Sequence, residues 1–123
     1  MSNKIINIAI IDDENEIIEM IEKYLSRQGG YKITTFLNPQ NAITYIDNKV
    51  DVILLDIMMP QMNGIEVLSE LQKKNIDAKV IMMTAYSTLD KVLKSHREGA
   101  ADYIMKPFSS LKVLEDKIKE VLL

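Results

Sequence analysis

Short aliphatic runs alternate along this chain with longer stretches in which apolar residues recur every three or four positions. Ile5 to Ile11 is nearly continuous, too short for a core helix and rich in β-branched side chains. Asp51 to Asp56 (DVILLD) and Lys79 to Thr84 (KVIMMT) have the same character. Such uninterrupted runs predict parallel strands buried on both faces. Tyr31 to Phe36 and Ala101 to Met105 predict weaker strands, nearer the sheet edges.

Helices are predicted between them. Ile17, Ile21 and Leu25 recur at helical spacing after Asp13-Glu14, whose charge suits a helix N-terminus, and Gly29-Gly30 stops the helix. Asn38-Pro39 opens a second helix with a capping side chain and a proline at the first turn. Ile65, Leu68 and Leu71 mark a third, and Leu89, Val92 and Leu93 a fourth. Ser110 followed by Leu111, Leu114, Ile118 and Val121 marks the fifth. Five successive β-α units predict a doubly wound α/β domain, a parallel sheet with helices on both faces. No repeat, low-complexity stretch or linker interrupts it, so residues 1–123 read as one domain.

Composition adds mainly exclusions. With 47% hydrophobic and 27% charged residues in 123, an ordinary core can be built. No apolar run is long enough to cross a bilayer, Met1 opens no signal segment, and the expected location is the cytoplasm. There is no cysteine, hence no disulfide or thiolate metal site. A net charge of −3 with scattered lysines disfavours nucleic-acid binding by this chain.

In an open parallel sheet, ligands bind beyond the carboxyl ends of the strands. Asp12 and Asp13 follow the first run, Asp56 ends the third, Thr84 ends the fourth and Lys106 follows the fifth. Taken singly, each has an ordinary explanation: a helix cap, a turn, a strand residue, a surface charge. Their joint placement points instead to chemistry. Carboxylates a few Å apart repel by ~1–4 kcal/mol, which a hard divalent cation relieves, and all-oxygen ligation favours Mg²⁺ or Ca²⁺. A carboxylate beside such an ion is a suitable phosphoryl acceptor, with Thr84 and Lys106 placed to hold the phosphoryl oxygens.

The segments AIIDDE, DVILLDIMMPQMNG, VIMMTAY and GAADYIMKPF resemble, in order and spacing, those of response-regulator receiver domains, across essentially the whole chain. The resemblance implies the flavodoxin-like receiver fold with strand order 2-1-3-4-5, and a phosphoacceptor switch rather than an enzyme. It implies that Asp56 is the phosphoacceptor, that Asp13, Asp56 and the Met58 carbonyl bind Mg²⁺ directly, and that Asp12 acts mainly through water. Thr84 and Lys106 would contact the phosphoryl group, Tyr103 would be a mobile aromatic switch, and the Lys106-Pro107 bond would be cis. Met58 and Tyr86 would stand at the rim of the site, with slow phosphoryl loss as the result. The implied partners are a histidine kinase or histidine phosphotransfer protein, and an output domain or partner protein on the face of the fourth helix, fifth strand and fifth helix.

Asn63 stands where Asp is frequent in such domains, and Asn63-Gly64 reads as a turn. His96, in step with Leu89 and Val92, reads as a partly buried or surface residue, and the eight methionines as packing. A haloacid-dehalogenase-like phosphatase is the alternative, but it needs a second acid at position 58, where Met stands. A flavodoxin-type carrier needs a phosphate loop where Asp12-Asp13-Glu14-Asn15 would repel a phosphate. The chain can equally be a stand-alone regulator or the N-terminal part of a longer one.

Overall fold

The computed structural model describes residues 4–85 and 89–123, with Leu89 and residues 91–93 described as backbone only. Its elements are β1 (Ile6–Ile11), α1 (Asn15–Gln28), β2 (Tyr31–Phe36), α2 (Pro39–Tyr45), β3 (Val52–Asp56), α3 (Gly64–Lys73), β4 (Lys79–Thr84), α4 (Leu89–Arg97), β5 (Asp102–Met105) and α5 (Leu111–Val121). All four strand pairings are parallel and the order is β2-β1-β3-β4-β5. The two weaker runs therefore form the edges, as their mixed polarity predicts.

The aliphatic runs are continuous because the sheet divides two cores. One face of β1, β3 and β4 (Ala9, Ile11, Ile53, Leu55, Val80, Met82) packs under α2 and α3 through Ala42, Val67, Leu68 and Leu71. The other face (Ile8, Ile10, Leu54, Ile81, Met83) packs under α1 and α5 through Ile18, Ile21, Leu25, Leu114 and Ile118. All five residues of β3 are buried. A polar side chain within it would meet hydrocarbon on either face, so Asp56 is tolerated only at its end.

Side chains cap several helix N-termini. Asn38 accepts from the Gln40 and Asn41 amides, and Ser110 accepts from Val113. Gly29, at φ 76°, ends α1 in the region that L side chains avoid. α1 starts directly after the acidic pair, as read; Glu14 makes no side-chain cap, and the Asp12 carboxylate accepts from the Glu14 amide at 2.9 Å. One local reading changes. Asn63 and Gly64 form no separate turn. Asn63 caps α3 in a reciprocal pair with Glu66, and Gly64 is the first helical residue.

A polar contact also lies within the α1–α5 side. The Glu115 carboxylate, 7% exposed, accepts from the Tyr31 hydroxyl at 2.7 Å and the Tyr24 hydroxyl at 3.4 Å. Burial and then Glu115 push the Tyr31 hydroxyl well above its usual range.

Candidate functional site

The sheet register brings the singled-out residues together. Ile11 lies opposite Leu55, Asp56 opposite Met83, and Thr84 opposite Met105. The residues that follow β1, end β3 and β4, and follow β5 therefore emerge side by side. Asp12 is fully buried and Asp56 is 3% exposed, whereas Asp13 is half-buried.

Lys106 closes the group from the β5 side. Its ammonium lies 2.8 Å from Asp12 Oδ2, 3.2 Å from Asp56 Oδ1 and 3.6 Å from Glu14 Oε1. The Lys106-Pro107 bond is cis. Asp56 Oδ1 also accepts from the Met58 amide at 3.4 Å. Asp56 Oδ2, by contrast, is buried without a hydrogen-bond partner among the described residues. An orphaned buried oxygen calls for an explanation, and a catalytic role or a bound ion is among the recognised ones.

The electrostatics agree. Burial, then the charge of Asp12, pushes the Asp56 carboxyl up to about 7. Burial likewise raises the Asp12 carboxyl, against the opposing pull of Lys106. Burial pulls the Lys106 ammonium down, but the hydrogen bond and charge of Asp12, with Asp56 behind, outweigh it and hold the group above its usual range. One ammonium does not satisfy these carboxylates. Asp12, Asp13, Glu14 and Asp56 each offer an oxygen within 4.8 Å of the others, a hard, anionic donor set suited to a divalent cation. In the sequence Glu14 was legible as part of a helix start and of an acidic loop, not as a member of the metal-binding set. Its membership comes from its place beside Asp13 on the loop after β1.

Thr84 is buried at the end of β4, but its hydroxyl donates to the Ala85 carbonyl at 3.1 Å rather than to the acidic group. Tyr103 is half-buried against the core that holds Met82 and Ala100. Its ring meets the exposed His96 edge-on, centroids 6.5 Å apart, and the Lys117 ammonium lies 5.9 Å from its centre. Lys117 also pairs with Asp102 at 3.2 Å. The histidine thus belongs to the surroundings of the tyrosine, a contact that helical period alone does not reveal. Tyr86 lies outside the described residues.

The family model of the response regulator receiver domain matches residues 8–119. Response regulator SaeR of Staphylococcus aureus (strain USA300) is 35% identical over 103 residues, 84% of this chain and 45% of the relative. The chain thus spans about half the length of that curated relative. Among solved structures, a CheY-like response regulator receiver domain protein from Methanospirillum hungatei JF-1 is 31% identical with a TM-score of 0.85, covering 97% of this chain and 94% of that one. A response regulator receiver domain protein from Clostridium thermocellum is 28% identical with a TM-score of 0.87, covering 96% and 94%. The phosphatase alternative finds no support, since position 58 is Met and the similar proteins are response regulators. With its sheet order, its acidic strand-end site and these relatives, the chain belongs to the response regulator receiver domains, the signalling modules of two-component systems.

Proposed function

We propose that Asp56 accepts a phosphoryl group and that this chain is the phosphoacceptor switch of a two-component or phosphorelay pathway. The observation that carries the reading is the Asp56 carboxylate itself: Oδ1 engaged by Lys106, Oδ2 buried without a hydrogen-bond partner among the described residues, three further acids beside it. The donor set fits Mg²⁺. Asp13, Asp56 and the Met58 carbonyl would hold it, with Asp12 acting mainly through water, and the ion would offset the negative charge of an incoming phosphoryl group.

The rest of the work falls to the chain's own groups. In the transfer, Asp56 forms a bond to phosphorus as the donor's phosphorus bond breaks. The result is an acyl phosphate, which the domain helps both to form and to lose. Lys106 is charged and already at the site, so it can pair with a phosphoryl oxygen at little reorganisation. Thr84 would exchange its bond to Ala85 for one to the phosphoryl group. That movement opens room for the Tyr103 ring and reshapes the face of α4, β5 and α5, the proposed contact for an output domain or partner protein.

A histidine kinase or histidine phosphotransfer protein is the proposed donor. The apolar groove of about 220 Å³ lined by Ile17, Met20, Phe108 and Leu111, bordered by Lys106, supports docking close to the acceptor. Net charge argues against direct binding of nucleic acid. No described helix is long and apolar enough to cross a membrane, in keeping with a proposed cytoplasmic location. The test is intact mass after incubation with Mg²⁺ and acetyl phosphate. One phosphoryl group should add to the wild type and none to Asp56→Asn or to wild type in EDTA; equal labelling of the two proteins overturns the assignment.

A further inference from the structure

Of the methionines at the carboxyl end of the sheet, Met58 differs from its neighbours in exposure. Its residue surface is 52% accessible, against 7% for Met59 and 0% for Met82 and Met83. Its own amide is 3.4 Å from Asp56 Oδ1, which fixes it at the mouth of the acidic site. A thioether is the one common side chain that exchanges apolar for polar character by gaining a single oxygen. Placed at the rim of a site whose chemistry depends on excluding or admitting water, that exchange has a local consequence.

We infer that Met58 is an oxidation site, and that its conversion to the sulfoxide by a hydroperoxide shortens the life of the phosphoryl group on Asp56. The second half rests on the phosphoacceptor reading above. In the step, a sulfur lone pair attacks one oxygen of hydrogen peroxide. The S–O bond forms as the O–O bond breaks, and the departing hydroxide takes the proton of the transferred oxygen to become water. Sulfur is oxidised by two electrons and the peroxide is reduced by two. Hydrogen peroxide is neutral, so the surrounding carboxylates do not repel it. Met82 and Met83, with no accessible surface, are protected by the fold.

The thioether offers an attacking water no useful acceptor, whereas the sulfoxide oxygen is a strong one. The modified side chain can therefore hold a water beside the phosphoryl group and promote its hydrolysis. The effect is reversible by a methionine sulfoxide reductase, which gives the switch a redox-dependent memory time.

The full chain is treated with hydrogen peroxide and mapped by peptide mass spectrometry, and separate samples are phosphorylated with acetyl phosphate and followed for decay. Met58 should gain 16 Da well before Met59, Met82 and Met83 (about one oxygen atom, as the ladder of methionine oxidation requires). Oxidised wild type should lose its phosphoryl group severalfold faster, and reductase treatment should restore the slow rate. Met58→Leu should decay alike before and after peroxide, whereas Met62→Leu, which removes a half-buried methionine packed on the α2–α3 core, should respond as wild type does. Oxidation of Met58 no faster than of Met82, or unchanged decay once Met58 is oxidised, overturns the inference. A reduced chain that takes up no phosphoryl group overturns the lifetime effect together with the reading beneath it, and the mass map alone then decides the modification site.

Discussion

Lys106 reaches Asp56 on one oxygen only: Nζ lies 3.2 Å from Oδ1, and the buried Oδ2 has no partner among the described residues. The protein's own groups therefore leave part of this carboxylate uncompensated. Replacing it by Asp56→Asn removes that burden and the repulsion with Asp12, while Lys106 keeps Asp12 at 2.8 Å. The variant should be more stable than wild type by ~1–3 kcal/mol, the scale of a buried charge lacking full pairing. Urea denaturation in EDTA at pH 8 measures this. A less stable variant would show that Asp56 contributes more through Lys106 than it costs by burial.

In EDTA the same group should give the protein an unusual pH dependence. A carboxyl that titrates near 4 when unfolded, and at about 7 when folded, binds its proton more tightly in the native state. Between those values the native state holds more protons, so stability is full below about 4 and declines as pH rises to about 7. Asp12, shifted in the same direction, adds to the slope. The decline should be on the order of 2–4 kcal/mol at most, and Asp56→Asn should remove most of it. Denaturation midpoints in EDTA at pH 5 and pH 8 are the check, and greater stability at pH 8 than at pH 5 would contradict it.

Gly64 is required for space rather than for backbone angle. A Cβ there would stand 2.3 Å from the Asp56 carbonyl oxygen and 2.9 Å from Ile57 Cα, both main-chain atoms that cannot rotate aside. Gly64→Ala should cost ~2–3 kcal/mol or more and displace the acceptor strand end, lowering phosphoryl uptake as well. Gly29→Ala makes a contrast. Nothing lies within 4 Å of the added carbon, so only its positive φ is penalised, by ~1 kcal/mol, with uptake unchanged. Equal effects of the two substitutions on uptake would show that the close approach at Gly64 is unrelated to the site.

In the proposed switch, Thr84 would separate accepting the phosphoryl group from reporting it. Among the described residues its hydroxyl serves only the Ala85 carbonyl, so Thr84→Ala should cost no more than ~0.5–1.5 kcal/mol. Phosphoryl uptake should survive largely intact, and the response at Tyr103 should weaken. Amide NMR shifts with and without beryllofluoride read this directly. Wild-type shifts confined to the surroundings of Asp56, with Asp102 to Lys117 silent, would show the proposed output face to be wrong.

The sheet, its edges and the strand-end residues were legible because each depends on a local pattern: a run of aliphatics, or a polar residue where the run stops. What escaped the sequence depends on contacts between distant positions. Glu115 lies 91 and 84 residues from the tyrosines that hold it, and nothing in the helical period of α5 marks it as buried. The Lys74 ammonium donates to the carbonyls of Ile43, Thr44 and Ile46 at the end of α2, yet in sequence it is one more surface lysine. Asn63-Gly64 was misread for a related reason: a capping pair and a tight turn use the same residue types. At the site, geometry adds Glu14 to the acids and turns the Thr84 hydroxyl toward Ala85.

The junction of β3 and α3 has a mechanical meaning. The Gly64 amide donates to the Ile57 carbonyl at 2.8 Å, and the Asn63–Glu66 pair clamps the first turn of the helix just beyond it. At Gly64, main chain is seated directly against the main chain of Asp56 and Ile57, which leaves little slack between the start of α3 and the end of β3. In the proposed switch that flank would be the stator, and motion following phosphoryl transfer would leave by the opposite flank, where the Thr84 hydroxyl and the Tyr103 ring can rotate.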